Sequence, residues 1–229
     1  MSDSESEERT IDVGTYEGER DERARRHGQG KCTYANNDTY EGSYSEGKRS
    51  GSGTYTWNHP KQPYSYTGHY QDGLRNGHGK LVFPDGSTFE GNWEQGKPSG
   101  SGHFVFINQD EYTGELLDGK FHGTGKYVFS STGQVLDGLW DQNSFVQGQW
   151  ELEPFLVWVG TFSQSQPLGD GYFLFKKLGY KQYGTYVGTY ENAVENEEEN
   201  ESESEENLEK VVKLNPKNVY FVPGRMEKL

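Results

Sequence analysis

The chain has 229 residues, a formal net charge of -14, only 30% hydrophobic residues and 31 glycines. So little apolar material argues against a large compact core and favours an elongated stack of small units. The acidic balance also argues against nucleic-acid binding, which needs a clustered basic surface.

The cellular compartment can be predicted from what the sequence lacks. Cys32 is the only cysteine, which argues against an internal disulfide framework and indicates a reducing environment. The start, MSDSESEERT, is neither basic nor apolar, so we expect no secretory signal in it. The longest apolar run, Phe155 to Val159, is too short to cross a bilayer. We therefore expect a soluble protein of the cytoplasm.

Composition divides the chain into four predicted segments. Residues 1–12 are an acidic N-terminal arm with five acids and one arginine. Residues 13–190 are a β-rich repeat region. Residues 191–207, ENAVENEEENESESEEN, carry charge of one sign and few apolar side chains, which predicts a disordered acidic linker. Residues 208–229 regain apolar residues and form a predicted docking segment.

The stretch DTYEGSYSEGKRSGSGTYTW, Asp38 to Trp57, predicts a β-hairpin. Alternating side chains of a strand point to opposite faces, so aromatic and glycine residues share one face of each half. A turn is predicted over 46–50. Rings covering glycines would shield the exposed backbone. The predicted register sets three pairs opposite each other: Tyr44 and Gly53, Gly42 and Tyr55, and Tyr40 and Trp57.

This hairpin pattern recurs along the chain in steps of 24, 26, 23, 23, 24 and 22 residues. The clearest aromatic-glycine-aromatic copies are Tyr40, Gly42 and Tyr44; Tyr66, Gly68 and Tyr70; Phe89, Gly91 and Trp93; and Tyr112 and Gly114. Each is followed by a Gly-x-Gly: Gly51 and Gly53, Gly77 and Gly79, Gly100 and Gly102, and Gly123 and Gly125. Further copies begin at Tyr16, Leu136 and Trp158. We interpret all these residues as structural repeat positions.

Two copies depart from the pattern. After Leu136, Gln147 and Gln149 stand near the expected glycines and only Gly148 remains, which predicts a distorted hairpin. An eighth, partial copy starts at either Gln182 or Tyr186, and the spacing favours Gln182.

The pattern Tyr-x-Gly-x-Trp/Tyr-x-x-Gly-x-x-x-Gly-x-Gly resembles the MORN repeat (membrane occupation and recognition nexus) from Tyr16 to Tyr190. This implies an all-β fold, an elongated solenoid-like twisted antiparallel sheet of seven to eight stacked hairpins. A narrower likeness, in RHGQGKCTYANNDTYEGSYSEGKRSGSG and in the acidic ends, is to the radial spoke head proteins of motile cilia. It implies a non-enzymatic structural scaffold in the cytoskeleton of the ciliary or flagellar axoneme. Implied partners are other radial spoke head proteins and the central-pair apparatus, with self-association left open.

The C-terminal stretch KNVYFVPGR suits a β-strand that adds to an unpaired sheet edge. We predict Val219, Tyr220, Phe221 and Val222 as docking residues. Their expected destination is an adjacent spoke-head component or, failing that, the last repeats of the same chain.

No motif predicts catalysis, a cofactor or a metal site. Gly-x-x-x-x-Gly-Lys occurs three times, but no serine or threonine follows the lysine and no helix is predicted there. The six histidines fall at different repeat positions without ligand spacing: His27, His59, His69, His78, His103 and His122. We therefore expect a protein that is not an enzyme.

Arg23, Arg25 and Arg26 form the densest basic cluster of the repeats, and two interpretations are open. The cluster could contact anionic lipid, which would make the protein a peripheral adaptor at membrane junctions. It could instead be a solvated turn balanced by acids at 19, 21 and 22. The net negative charge of the repeat region disfavours the membrane role.

Overall fold

The computed structural model describes residues 14–58, 64–189 and 218–229. This part of the chain forms sixteen β-strands and no helix, so the predicted all-β fold of stacked antiparallel hairpins is confirmed. The chain divides into two units, Met1–Thr132 and Gly133–Leu229. The predicted acidic arm 1–12 and linker 191–207 lie outside the described residues.

The first unit contains ten strands, each paired antiparallel with the next along the chain. They are β1 (Thr15–Arg20), β2 (Arg26–Thr33), β3 (Thr39–Ser45), β4 (Lys48–Trp57), β5 (Tyr64–Gln71), β6 (Leu74–Val82), β7 (Thr88–Glu94), β8 (Lys97–Val105), β9 (Glu111–Leu117) and β10 (Lys120–Val128). Because neighbours in the sheet are neighbours in sequence, almost all pairing in this unit is local.

The second unit contains six strands with the same consecutive antiparallel pairing. They are β11 (Val135–Asp141), β12 (Ser144–Glu153), β13 (Leu156–Ser163), β14 (Gln166–Phe175), β15 (Tyr180–Thr189) and β16 (Asn218–Lys228). The pair β15–β16 differs from the others because its strands are separated by residues 190–217.

The register predicted for the hairpin β3–β4 is wrong by two residues. The structure pairs Tyr40 with Tyr55, Gly42 with Gly53, and Tyr44 with Arg49. The predicted five-residue turn is also wrong, because β4 already begins at Lys48 and only Glu46 and Gly47 form the turn.

A bulge in β4 explains both the shift and the spacing of the glycines. Residues 50–52 lie opposite the single residue Ser43, so β4 carries two extra residues. Gly51 sits in this bulge with φ of +64°, a left-handed conformation that favours glycine. The first glycine of the other Gly-x-Gly pairs also has positive φ: Gly28, Gly77, Gly100, Gly123 and Gly169.

From β3–β4 to β9–β10, the hairpin turns are two residues long and bond to the hairpins before them. Glu46 and Gly47 both have positive φ, 51° and 86°, as the favoured two-residue hairpin turn requires. The N–H of Gly47 donates to the Arg26 carbonyl over 2.9 Å, and that of Gly73 donates to the Arg49 carbonyl over the same distance. Each turn is therefore tied to the start of the preceding second strand.

The irregular copy at Leu136 forms an intact hairpin, β11–β12, with a smaller bulge. Gly138 pairs with Gly148, so this single glycine takes the place of the second glycine of a Gly-x-Gly. Only Val146 is extra in β12. The predicted distortion thus takes the form of a bulge shortened by one residue.

Candidate binding surfaces

One glycine from each of the strands β1–β10 forms a continuous row in the first unit, and one from each of β11–β15 forms a row in the second. In the first unit, adjacent members of the row are direct register partners from Gly18 through Gly30, Gly42, Gly53, Gly68, Gly79, Gly91, Gly102, Gly114 to Gly125. In the second unit the row runs from Gly138 through Gly148, Gly160 and Gly171 to Gly184. Gly184 pairs with Gly171 and so takes the glycine position of the eighth repeat. Of the two predicted starts, this pairing agrees with the one at Gln182.

An aromatic ring covers each pair of glycines within a regular hairpin. Tyr40 is fully buried, and a methyl group on Gly53 would collide with its ring. The Tyr40 hydroxyl donates to the Ser43 carbonyl over 3.1 Å, which holds the ring along its own strand above Gly42. Tyr66 and Phe89 cover Gly79 and Gly102 in the same way. The covering ring is therefore diagonal to the glycine, not opposite to it.

The covering rings join into a buried ladder along one face of the first unit. The ring ladder consists of Tyr40, Tyr44, Tyr66, Tyr70, Phe89, Trp93 and Tyr112, all buried, and the buried aliphatic Leu116 continues it where the next ring would stand. Ring centres lie 5.1 Å apart for Tyr40 and Tyr70 and 5.0 Å apart for Tyr66 and Trp93, in edge-to-face arrangements. Burial raises the pKa of Tyr40 and that of Tyr66 to about 12.

An open polar groove lies along the glycine row. Its lining side chains are Gln29, Glu41, Ser52, Thr54, Thr67, His69, His78, Lys80, Glu90, Asn92, Ser101, His103, Thr113, Glu115 and Thr124. Several charges there are already paired, including Lys80 with Glu90 over 3.3 Å and Glu41 with Lys31 over 3.7 Å. The groove therefore offers hydroxyls and neutralised charges rather than a strong field of one sign.

Two buried aspartates connect neighbouring turns, and the sequence reasoning missed them. The Asp110 carboxylate accepts hydrogen bonds from the Tyr127 hydroxyl, the Ser130 N–H and the Asn108 amide, at 2.8, 2.8 and 2.9 Å. Although burial by itself raises the pKa of Asp110, these hydrogen bonds hold it below its usual value. Asp38 has equivalent partners. The recurrence of Asn-x-Asp at 36–38 and 108–110 was the available signal.

Two arginines of the basic cluster contact acids or a ring of their own hairpin and the neighbouring one. Arg25 pairs with Asp21 over 2.7 Å and with Glu46 over 3.6 Å. Arg26 lies over the ring of Tyr16, 5.3 Å from its centre. These contacts favour the interpretation as a balanced turn over a contact with anionic lipid.

The structure does not gather the histidines into a site. Within 14–58, 64–189 and 218–229, no group of three or more His, Cys, Asp or Glu side chains could hold a metal ion. His59 lies outside the described residues. The same part of the chain has no helix that could span a membrane.

The predicted docking residues lie in β16, which pairs with β15 of the same chain. Phe221 covers Gly184, and its ring centre lies 5.1 Å from that of Phe173 and 5.3 Å from that of Tyr186. Tyr220 and Val222 are 51% and 45% exposed. In this structure β16 thus occupies the second of its two predicted destinations, and among the described strands it pairs with β15 alone.

Comparison with known proteins agrees with the repeat geometry. The family model described as MORN repeat matches residues 23–39, 40–58, 66–88, 89–111 and 112–134. The chain contains MORN repeats. Each match falls in the first unit apart from the last two residues of the fifth, whereas the glycine row recurs in the second unit as well.

A curated relative shares part of the chain. Over 43 residues the sequence is 56% identical to the Radial spoke head 1 homolog of Mus musculus. The aligned stretch is 19% of this chain and spans 14% of the length of the mouse protein.

Proposed function

We propose that this MORN-repeat chain is a non-enzymatic structural component of the radial spoke head in the axoneme of cilia or flagella. The observation that carries the proposal is the 56% identity over 43 residues to the mouse Radial spoke head 1 homolog. The hairpin stack of the first unit supports it, because its paired glycines and buried rings leave an exposed polar groove to which another protein could bind. Its proposed partners are other radial spoke head proteins and the central-pair apparatus.

Localisation in a ciliated cell tests this proposal. A fluorescently tagged chain should decorate axonemes and remain there after the membrane is removed with detergent. Signal confined to the plasma membrane, with bare axonemes, would contradict the assignment.

A peripheral adaptor on anionic lipid is the second candidate, and it draws on the cluster at 23–26. The ion pairs of Arg25 with Asp21 and Glu46 weaken it, because lipid attraction grows with unopposed charge. Pelleting with phosphatidylserine vesicles separates the two candidates. We expect little binding to the vesicles. Strong, salt-sensitive binding that is lost in the Arg23→Gln variant would favour the adaptor.

The exposed side of β16 is the proposed docking surface for a spoke-head partner. Phe221 faces the rings of its own chain, whereas Tyr220 and Val222 remain exposed. The double substitution Tyr220→Ser and Val222→Thr should therefore reduce recovery of partners from axonemal extracts while the fold persists. Ser52→Thr, in the polar groove, is the control. Equal recovery of partners by both variants would show that the repeats, and not β16, form the interface.

A further inference from the structure

A crevice beside the ring ladder holds two arginines from neighbouring hairpins. Arg49 on β4 and Arg75 on β6 each lie second after a hairpin turn. The arginine crevice is lined by the side chains of Arg49, Tyr55, Trp57, Tyr70, Leu74 and Arg75. The equivalent residue of the preceding hairpin is Arg26, which lies over the ring of Tyr44 outside this crevice. The equivalent residues of the next two hairpins are Pro98 and Phe121, so the row of arginines ends at Arg75.

Both guanidinium groups are held in fixed positions. Arg49 lies over the ring of Tyr70, 5.2 Å from its centre, and Nη2 donates to the Gly73 carbonyl over 2.8 Å. Arg75 lies over Trp93 at 4.2 Å, and Nη2 donates to the Gly96 carbonyl over 2.8 Å. A guanidinium has five N–H donors, so most of the donors on each arginine remain for a ligand.

Neither arginine has a carboxylate partner among the described residues, unlike the lysines beside them. Lys48 pairs with Asp72 over 3.2 Å, and Lys97 pairs with Asp118 over 3.0 Å. Burial, and to a smaller extent the like charge of Arg49, lowers the pKa of the Arg75 guanidinium. Within residues 14–58, 64–189 and 218–229, the crevice therefore holds positive charge without a carboxylate partner.

We propose that the arginine crevice binds an acidic peptide segment of a partner protein through two carboxylate side chains. Equivalent positions in neighbouring hairpins are two strands apart, which is about 10 Å. A chain in the polyproline II conformation rises about 3.1 Å per residue with three residues per turn, so acids three residues apart lie on the same side and match this spacing. The planar guanidinium edges suit bidentate contacts with carboxylates.

The rim of the crevice favours a protein segment over a lipid surface. Leu74 is 50% exposed beside Trp57, so an apolar side chain between the two acids would find a matching contact. Glu46 and Asp72 at the hairpin turns have side chains that are 72% and 71% exposed. A flat anionic leaflet would meet these carboxylates, whereas a single peptide chain can pass between them.

Fluorescence anisotropy with the full chain tests the proposal, which does not depend on the spoke assignment. The probe is a labelled peptide with two glutamates three residues apart and a leucine between them. We expect saturable, salt-sensitive binding that weakens about tenfold or more when Arg49→Gln and Arg75→Gln are combined. The matched pair Lys48→Gln and Lys97→Gln removes the same charge nearby and should change affinity less than about threefold.

Two further measurements keep the test decisive if the glutamine variant unfolds. Arg49→Lys with Arg75→Lys retains the charge but loses the planar fork, so we expect an intermediate loss of affinity. Pro98→Arg adds a cation on the next hairpin and should strengthen binding of a peptide with a third glutamate. The proposal is overturned if a glutamine version of the peptide binds equally well, or if both charge-removing pairs weaken binding to the same extent. Arginine-dependent pelleting with phosphatidylserine vesicles, without peptide binding, would overturn it in favour of lipid.

Discussion

The hairpin β3–β4 and the terminal pair β15–β16 both cover a glycine with a ring, but the ring comes from opposite strands. In β3–β4, Tyr40 on the first strand covers Gly53 on the second. In β15–β16, Phe221 on the second strand covers Gly184 on the first. The same contact between ring and glycine can thus be built from either side of a hairpin.

The two pairs also differ in how their strands are connected. Two residues join β3 to β4, whereas 28 residues, 190–217, separate β15 from β16. Closing a longer loop costs more conformational entropy, so β16 depends more on its own side-chain contacts than β4 does. We therefore expect β16 to open before any regular hairpin.

Breaking the ring contact in a regular hairpin should have the largest effect. Gly53→Val places a side chain where the structure has the Tyr40 ring, and Gly91→Val places one against the paired Gly102 and the Phe89 ring. We expect each to lower the free energy of unfolding by about 3 kcal/mol, because overpacking forces rings and backbone to move. Urea denaturation measures this. Ser52→Val, beside Gly53 and exposed to the groove, is the control, and equal midpoints for all three variants would refute the packing.

Removing the ring that holds β16 should have a smaller and more local effect. Phe221→Ala should cost about 2 kcal/mol, because the side chain is only partly buried. Hydrogen exchange should rise at amides of β15 and β16 and stay unchanged in β3 and β4. Tyr220→Ala, at an exposed position, is the control. A uniform rise across the first unit would show that β16 is not a separate opening unit.

Changing the buried Asp110 should lower the free energy of unfolding by less than either change above. Asp110→Asn weakens hydrogen bonds from Ser130 and Tyr127, and we expect a loss of about 1 kcal/mol. Because hydrogen bonds hold the pKa of Asp110 low, its contribution is present above the unfolded pKa and disappears on acidification. Thermal unfolding at neutral and acidic pH tests this. Asp118→Asn is the exposed control, and a difference between the variants that persists in acid would contradict the assignment.

The smallest effect at neutral pH concerns the tyrosine hydroxyls of the ladder. Burial raises the pKa of Tyr40 and that of Tyr66 to about 12. The stability that comes from burying these neutral hydroxyls is therefore complete below about pH 10, the pKa in the unfolded chain, and is lost as the pH rises from about 10 to about 12. The double variant Tyr40→Phe and Tyr66→Phe should be nearly as stable at neutral pH, since Phe89 already fills the same position. It should lose less stability than the parent between pH 10 and 12 in alkaline denaturation. An identical alkaline loss would contradict the burial of these hydroxyls.

The period of two at Tyr40, Gly42 and Tyr44 was sufficient to predict strands, and the repeat of this pattern predicted the stacking. The register could not be predicted, because the bulge at 50–52 adds two residues without changing which side chains alternate. The pairing of β16 with β15 was left open because 28 intervening residues carry no information about the register. The arginine crevice was missed because Arg49 and Arg75 acquire their neighbours only when hairpins stack.

Nuclear Overhauser effects to the glycine α-protons test the diagonal ring contact most directly. In isotope-labelled protein, the ring protons of Tyr40 should show contacts to the α-protons of both Gly42 and Gly53. Those α-protons should shift upfield and return towards ordinary values in Tyr40→Leu. Contacts from Gly53 to Tyr44 and from Gly42 to Tyr55, without contacts to Tyr40, would contradict the register and the packing derived from it.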